Sequence, residues 1–191
     1  SKVRGGTAWT VAEENDIVAR AREGDAAAFE AIIVTFRDRL FGLALGILKN
    51  RSIAEDVVQD ALIKAFKALP SFRGESRLYT WLYRITVNTA HNYIRAGIKG
   101  GDVDLEEVAP IVESGDPDPS EVTGNRELGA AIESAIAKLP TRQREVFLLH
   151  YFEQMTHREI ASVLGITEGA VKANFFHAIQ KLKTSLASYA A

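Results

Sequence analysis

The fold is decided by residues 156–172, which read Thr156-His157-Arg158-Glu159-Ile160-Ala161-Ser162-Val163-Leu164-Gly165-Ile166-Thr167-Glu168-Gly169-Ala170-Val171-Lys172. We expect a short helix on either side of Gly165, because glycine readily takes the positive φ that a tight turn requires. Ala161 is small enough to let the second helix approach the first closely. A small residue, a glycine four positions later and a β-branched residue six positions after that are typical of a helix-turn-helix. The stretch therefore predicts DNA binding, the alternative being an ordinary helical hairpin that ends on a glycine.

The helix after this turn divides into two faces. We expect its core side to carry Val171, Phe175, Ala178 and Leu182. On the other side, Lys172 can bind a phosphate or guanine, Asn174 can pair with adenine, and Phe176 can contact a thymine methyl group. His177 is either a DNA contact or a surface histidine. Further along, Lys181 and Lys183 are interpreted as solvated lysines.

A second candidate nucleic-acid site lies upstream, where aromatic residues alternate with arginines. Its members are Phe72, Tyr79, Trp81 and Tyr83, with Arg73, Arg77, Arg84 and Arg95. Bases stack on aromatic rings and cations hold phosphates, so this composition favours single-stranded DNA. Trp81 also fits an apolar stripe with Leu82 and Ile85, which would make it a core residue instead. Asn88 and Asn92 are four positions apart, so they share a helix face and can read a base edge.

The rest of the sequence predicts an all-α chain, since apolar residues recur at three- and four-residue spacings and no strand pattern occurs. The predicted helices cover 16–22, 26–47, 52–69, 77–96, 126–138, 142–152, 157–164 and 168–187. Capping-box patterns pair Ser52 with Glu55 and Thr156 with Glu159, and Thr167 is a suitable N-cap. The longest apolar run, 40–48, is about half the length that spans a bilayer, so it predicts a buried helix.

The charge of the chain is unevenly distributed, although the net value is only −2. Residues 1–100 hold 15 Lys/Arg and 11 Asp/Glu. Residues 101–127 hold 1 Lys/Arg and 9 Asp/Glu, and residues 128–191 hold 7 Lys/Arg and 5 Asp/Glu. The acidic segment also contains Pro110, Pro117 and Pro119, and repeated prolines interrupt helices. We therefore expect an extended acidic linker at 98–125, which joins helical domains at 13–97 and 126–191 after a tail at 1–12.

Several kinds of chemistry have no support in the sequence. There is no cysteine, which excludes disulfides and thiolate metal sites. We find no nucleotide-binding glycine motif, no metal-spaced histidine cluster and no catalytic-triad signature. No enzymatic activity, cofactor or metal is therefore expected. The first residues lack the apolar core of a signal peptide, and a cytoplasmic location is expected.

Five segments, taken in order, match one known family. They are Asp56-Val57-Val58-Gln59-Asp60-Ala61, Ser71-Phe72-Arg73-Gly74-Glu75-Ser76, Tyr79-Thr80-Trp81-Leu82-Tyr83-Arg84-Ile85-Thr86-Val87-Asn88-Thr89-Ala90, Leu139-Pro140 and Arg144-Glu145-Val146-Phe147. The first three resemble domain 2 of the sigma-70 family, and the last two, with the helix-turn-helix, resemble domain 4. Their order, the chain length and the missing middle domain resemble the extracytoplasmic-function (ECF, group IV) sigma factors of bacterial RNA polymerase, over about residues 13–187.

The resemblance implies a promoter-specificity subunit for a stress or envelope-signal regulon. Its partners would be the beta and beta-prime subunits of core polymerase, promoter DNA, and an anti-sigma factor that holds it inactive or tethers it to the inner membrane. The acidic linker would thread through the polymerase toward the active site and the RNA exit channel.

The same resemblance implies three sets of site residues. Core polymerase would dock on Asp56, Val57, Gln59 and Asp60. The minus-ten element would be recognised and melted by Phe72, Arg73, Ser76, Tyr79, Thr80, Arg84, Asn88 and Asn92. The minus-thirty-five element would be read by Arg158, Thr167, Glu168, Lys172, Ala173, Asn174, Phe176 and His177.

This chain departs from many members of the family at Asn174 and His177, where basic residues are common, so Lys172 is the main cation at the start of the reading helix. Two alternative functions remain open at this point. One is a stand-alone helix-turn-helix regulator with a helical effector domain, and the other is a protein-interaction module without a DNA role. The docking segment near Asp56 favours the sigma factor.

Overall fold

A computed structural model describes residues 9–100 and 122–189, and every regular element in those two ranges is helical. The α-helices there are α1 (Val11–Arg22), α2 (Ala26–Leu48), α3 (Arg51–Ala68), α4 (Leu78–Gly100), α5 (Val122–Ala137), α6 (Thr141–Tyr151), α7 (His157–Leu164) and α8 (Glu168–Ser185). Short 3₁₀ turns follow α3 at Leu69–Ser71 and α8 at Ala187–Tyr189. The all-α prediction is confirmed for the described residues. None of the helices described is long and apolar enough to cross a membrane.

Two helix starts differ from the sequence prediction because other residues cap them. Helix α1 begins five residues before Asp16, since Thr10 is its N-cap and forms a capping box with Glu13. Helix α3 is capped by Asn50, whose Oδ1 accepts from the Ile53 amide at 3.0 Å. The capping box predicted between Ser52 and Glu55 is therefore wrong, and Ser52 lies inside the first turn.

The predicted linker is helical at both ends. Helix α4 continues to Gly100 and α5 begins at Val122, so residues 98–100 and 122–125 belong to helices rather than to an extended segment. The acidic residues and prolines between them, at 101–121, lie outside the described residues. The tail predicted at 1–12 is described only from Trp9, whose ring packs edge-on against Phe36.

The first half of the chain packs α2 against α3 and α4 around large apolar side chains. The run 40–48 belongs to this core, as predicted. The buried carboxylate of Glu14 also joins α1 to the start of α4. Its Oε1 accepts from the Leu78 amide at 2.9 Å, and its Oε2 lies 3.1 Å from Nη2 of Arg77. Glu14 therefore caps the N-terminus of α4, where a negative charge also interacts favourably with the helix dipole.

Replacing Glu14 by alanine should destabilise the first half by about 2–3 kcal/mol, because it leaves an amide and a guanidinium without their buried acceptor. Urea denaturation followed by circular dichroism measures the change. Asp16→Ala is the matched control, since Asp16 is exposed and its pair with Arg20 at 3.7 Å is a surface pair of little value. Equal stability of the two variants would contradict the capping role.

The second half places α6, α7 and α8 around Val146, Leu149, Ile160 and Val171, which are all fully buried. Thr156 and Glu159 form the predicted capping box, and Thr167 caps α8 through the Ala170 amide at 3.1 Å. Gly165 ends α7 with a φ of 65°. Since a left-handed residue joins α7 to α8 there, the helix-turn-helix is confirmed as a structure.

The two halves pack against each other in this structure. Helix α6 lies on α2 and α7 lies on α4. Gly46 in α2 is covered by Leu148 in α6, so closely that an ideal Cβ at position 46 would lie 2.5 Å from Leu148 Cδ1. The helix-turn-helix is thus held directly on the helix that carries the candidate single-strand site.

Candidate nucleic-acid interface

The exposed face of α8 carries the predicted duplex-reading residues. Lys172, Ala173, Phe176 and His177 are exposed, whereas Val171, Ala178 and Leu182 are buried as predicted. Asn174 is half-buried, and its Nδ2 donates to the Ala170 carbonyl at 2.8 Å. Contact between Asn174 and a base would therefore replace a hydrogen bond within the helix, which reduces its net contribution.

The residues before α8 include Thr167, which caps this helix, and the neutral histidine His157. Arg158, Thr167 and Glu168 are exposed, but the Thr167 hydroxyl already accepts the Ala170 amide. Burial lowers the pKa of His157, and the neighbouring His150 and Lys172 side chains lower it further. His157 is therefore neutral near pH 7, and the cationic DNA-facing group at the start of α8 is Lys172.

The candidate single-strand site combines the loop before α4 with the first turns of α4. The Phe72 ring is buried against Trp81 with ring centroids 4.9 Å apart, and Gly74 turns the loop with a φ of 72°. The loop borders an open cavity of about 280 Å³ lined by Ser71, Phe72, Arg73, Glu75, Ser76, Trp81 and Arg84. Because Phe72 is buried, it supports the loop and does not present a free stacking face. Arg73, which is exposed, is the cation available to a strand.

Two of the predicted single-strand residues are buried, and a third contacts the other half of the chain. Tyr79 is only 6% exposed, and its hydroxyl donates to Glu159 of α7. Burial, with this hydrogen bond, raises the pKa of Tyr79 to about 12. Thr80 is buried, and Nε of Arg84 donates to the Ser162 carbonyl at 3.1 Å. In this arrangement Tyr79 and Thr80 do not face solvent, whereas Arg84 is half-buried and lines the open cavity beside the loop.

The two asparagines of α4 remain accessible. Asn88 and Asn92 are both exposed and lie one turn apart, as predicted. Asn92 Oδ1 accepts from Arg95 at 2.5 Å, so its amide nitrogen is left to donate. Asn88 is the residue best placed to meet a base edge in the arrangement described.

The four residues predicted to dock on core polymerase lie on α3 and differ in exposure. Asp56 and Gln59 are exposed, and Asp60 is half-buried with its Oδ2 accepting from Tyr93 at 2.7 Å. That hydrogen bond, with burial, raises the pKa of Tyr93 to about 12. Val57 is 0% exposed, so its prediction as a docking contact is wrong: it points into the core behind the segment.

Two features of the surface around α3 were not predicted from the sequence. A polar groove of about 540 Å³ runs beside α3, lined by Arg37, Asp38, Phe41, Arg51, Glu55, Asp56, Val58, Gln59 and Leu62. Ile63 and Phe66 on the same helix are 46% and 58% exposed. Phe66 packs edge-on against Phe29 at 4.9 Å. The charged run Arg37-Asp38-Arg39, between the apolar stretches of α2, was the available signal for the groove.

Comparison with known families assigns both halves. Residues 32–97 match the model of sigma-70 region 2, and residues 129–182 match that of sigma-70 region 4. The RNA polymerase sigma-H factor of Pseudomonas aeruginosa is 32% identical over 184 residues, which cover 93% of this chain and 95% of that protein. The ECF RNA polymerase sigma-E factor of Escherichia coli K12 is 35% identical over 170 residues, 85% of this chain and 88% of the relative.

Solved structures give the same assignment of the fold. CnrH in complex with the cytosolic domain of CnrY superposes with a TM-score of 0.68 at 25% identity, over 92% of this chain and 97% of CnrH. The sigma factor RpoE of Bartonella quintana, in complex with the anti-sigma factor NepR, superposes with a TM-score of 0.66 at 24% identity. The match covers 83% of this chain and 96% of RpoE. A two-domain helical transcription factor is thus defined, and the chain belongs to the sigma-70 family as a sigma factor of the ECF type.

Proposed function

We propose that this sigma factor docks on core RNA polymerase through α3, reads the minus-ten element with α4 and its preceding loop, and reads the minus-thirty-five element with α8. The observation that carries the proposal is the exposed docking surface of α3, where Asp56 and Gln59 lie beside exposed apolar side chains, in the same chain as a helix-turn-helix. A stand-alone regulator has no need of such a surface. Run-off transcription with purified core polymerase tests the proposal, and DNA binding without initiation would contradict it.

Each of these proposed roles is assigned to one of the domains predicted from the sequence. Residues 13–97 would serve docking and the minus-ten element, 126–191 the minus-thirty-five element, and 98–125 would connect them through the polymerase. The excess of acidic residues in 101–127 supports the last role, because a channel shaped for nucleic acid is basic. The protein would have no catalytic activity, cofactor or metal of its own.

Regulation is proposed to follow that of the relatives. CnrH and RpoE were solved with bound protein partners, the cytosolic domain of CnrY and the anti-sigma factor NepR. An anti-sigma factor would hold this chain in the cytoplasm, or at the inner membrane if that partner is a membrane protein, until a stress or envelope signal releases it.

Asn88→Ala should reduce run-off transcription about tenfold, because it removes a base-edge contact worth about 1–3 kcal/mol. The effect should depend on the minus-ten sequence, which transcript-start mapping after overexpression identifies. Asn15→Ala, an exposed asparagine of α1 without an assigned role, is the control. Unchanged transcription by the Asn88 variant would remove this residue from the reading surface.

Lys172→Ala should weaken binding to duplex promoter DNA and lower the salt dependence of that binding by about one counterion. Lys183→Ala, in the last turn of the same helix, should leave both quantities nearly unchanged. Fluorescence anisotropy over a range of salt concentrations measures both. Identical salt slopes for the two variants would mean that Lys172 is a solvated surface lysine.

A further inference from the structure

A hydrogen bond between Tyr93 of α4 and Asp60 of α3 joins the two helices to which the proposed function gives different tasks. We propose that Tyr93 is a positioning residue for docking on core polymerase: its hydroxyl holds the Asp60 carboxylate in the orientation that the polymerase meets. This inference deepens the proposed function and rests on its assignment of docking to α3. Tyr93 itself lies on the neighbouring helix and is not among the predicted docking contacts.

Asp60 belongs to the docking surface and is held from one side only. Asp56, Gln59 and Asp60 are spaced by three and four residues, so they share one side of α3. Asp60 is half-buried, and its Oδ2 accepts from the Tyr93 hydroxyl at 2.7 Å. None of the described residues donates to Oδ1. The chain therefore fixes one oxygen of the carboxylate, and the other is left for a donor of the polymerase.

The group that holds Asp60 is neutral, although a lysine follows at a suitable spacing. Lys64 lies four residues after Asp60 on α3, the order and spacing that favour an ion pair on a helix. Its Nζ donates instead to Oγ1 of Thr89 on α4 at 3.1 Å, and the structure, which describes both side chains, has no ion pair between Lys64 and Asp60. A phenol orients the carboxylate without compensating its charge. That charge stays available to a cationic or N–H donor on the polymerase.

The tyrosine is a dependable donor at physiological pH. The hydrogen bond to Asp60, with burial, raises the pKa of Tyr93, so the phenol stays protonated near neutral pH. Its ring also packs against the core, which fixes the position of the hydroxyl. Tyr93 can therefore hold Asp60 in one orientation before the polymerase arrives.

Fixing the carboxylate before docking lowers the cost of association. An aspartate on a helix surface samples several rotamers, and immobilising such a side chain at an interface costs free energy that preorganisation avoids. Tyr93→Phe removes the hydroxyl and keeps the packed ring, so it releases Asp60 with little other change. We expect its affinity for core polymerase to fall about three- to tenfold.

A double-mutant cycle separates positioning from a general effect on the fold. The affinity of the labelled full chain for core polymerase is measured by fluorescence anisotropy for Tyr93→Phe, Asp60→Ala and the two substitutions together. Asp60→Ala should weaken binding more than Tyr93→Phe does. Adding Tyr93→Phe to Asp60→Ala should not weaken it further, since the hydroxyl then has no carboxylate to hold. An equal loss from Tyr93→Phe with and without Asp60 overturns the inference.

Lys64→Met is the matched control, because it removes a second hydrogen bond between α3 and α4 and leaves Asp60 in place. Thermal melting followed by circular dichroism should show small and similar changes for Lys64→Met and Tyr93→Phe. Only Tyr93→Phe should lose affinity for core polymerase. A parallel loss of affinity in both variants would mean that the two hydrogen bonds only maintain the packing of the helices, and it would overturn the positioning role.

The Asp60 variant distinguishes this inference from the proposed function. If Asp60→Ala weakens binding to core polymerase and Tyr93→Phe does not, docking through α3 stands and the positioning role of Tyr93 fails. If Asp60→Ala binds core polymerase as tightly as the wild type, the docking assignment of Asp60 fails and the inference fails with it. Binding of duplex DNA, which is assigned to α8, should be the same in all of these variants.

Discussion

Gln59→Arg is expected to abolish promoter-directed run-off transcription at ordinary polymerase concentrations while leaving the protein folded. Gln59 is exposed on the proposed docking surface of α3, where it lines a groove together with Asp56 and Arg51. A long cation there would fill the contact and add a second charge close to Arg51. Substitutions at the centre of an interface commonly cost 2–4 kcal/mol, which corresponds to a loss of about 30- to 1,000-fold in affinity.

Three measurements make this expectation specific. The affinity of the labelled sigma factor for core polymerase, measured by fluorescence anisotropy, should fall in parallel with transcription. Excess core polymerase should restore part of the transcription. Duplex DNA binding through α8 should not change. Ala19→Arg, on an exposed position of α1, introduces the same side chain away from the surface and should behave as the wild type. Normal core binding by the Gln59 variant would refute docking through α3.

Arg144→Ala should lower the free energy of unfolding by about 3 kcal/mol, the largest stability effect we expect from a single side chain. Arg144 is 5% exposed. It donates to the carbonyls of Gly46 at 2.8 Å, Ile47 at 2.9 Å and Leu139 at 2.7 Å. Two of these acceptors end α2, where a cation is favoured by the helix dipole. Removing the guanidinium leaves buried carbonyl groups without donors, which costs about 1–3 kcal/mol for each group that water does not reach.

Urea denaturation of Arg144→Ala, Arg144→Lys and Arg22→Ala tests this role. Burial lowers the pKa of Arg144, but a guanidinium stays protonated near neutral pH, so a lysine keeps the charge and lacks the planar set of donors. The lysine variant should therefore recover only part of the loss. Arg22 is exposed, and its substitution should be neutral. A change below about 0.5 kcal/mol in Arg144→Ala would mean that water replaces the guanidinium.

Local features of this fold could be predicted from the sequence, and contacts between distant residues could not. The capping box of Thr156, the turn at Gly165 and the buried face of α8 were predicted because their causes lie within a few residues. The cap at Thr10 has the same pattern as that of Thr156, but few apolar residues follow it, so the start of α1 was missed. Helical periodicity alone cannot assign burial on α3, and Val57, predicted as a docking contact, lies in the core instead.

In the candidate sites, too, contacts between distant residues could not be predicted from the sequence. The spacing of Asn88 and Asn92 placed them on one face of a helix, which the structure confirms. No local pattern indicates that Tyr79 meets Glu159, 80 positions later, or that Arg84 meets Ser162. The sequence therefore predicted the separate reading elements, and only the folded chain reveals that two of them contact each other.

Helix α8 remains exposed while α7 is packed on α4, and this has a consequence for the order of events on DNA. With α7 packed on α4, the proposed duplex contact through Lys172 would already be accessible. The proposed strand contact of Tyr79 would become available only after its hydrogen bond to Glu159 is broken, so the duplex would be met before the separated strand.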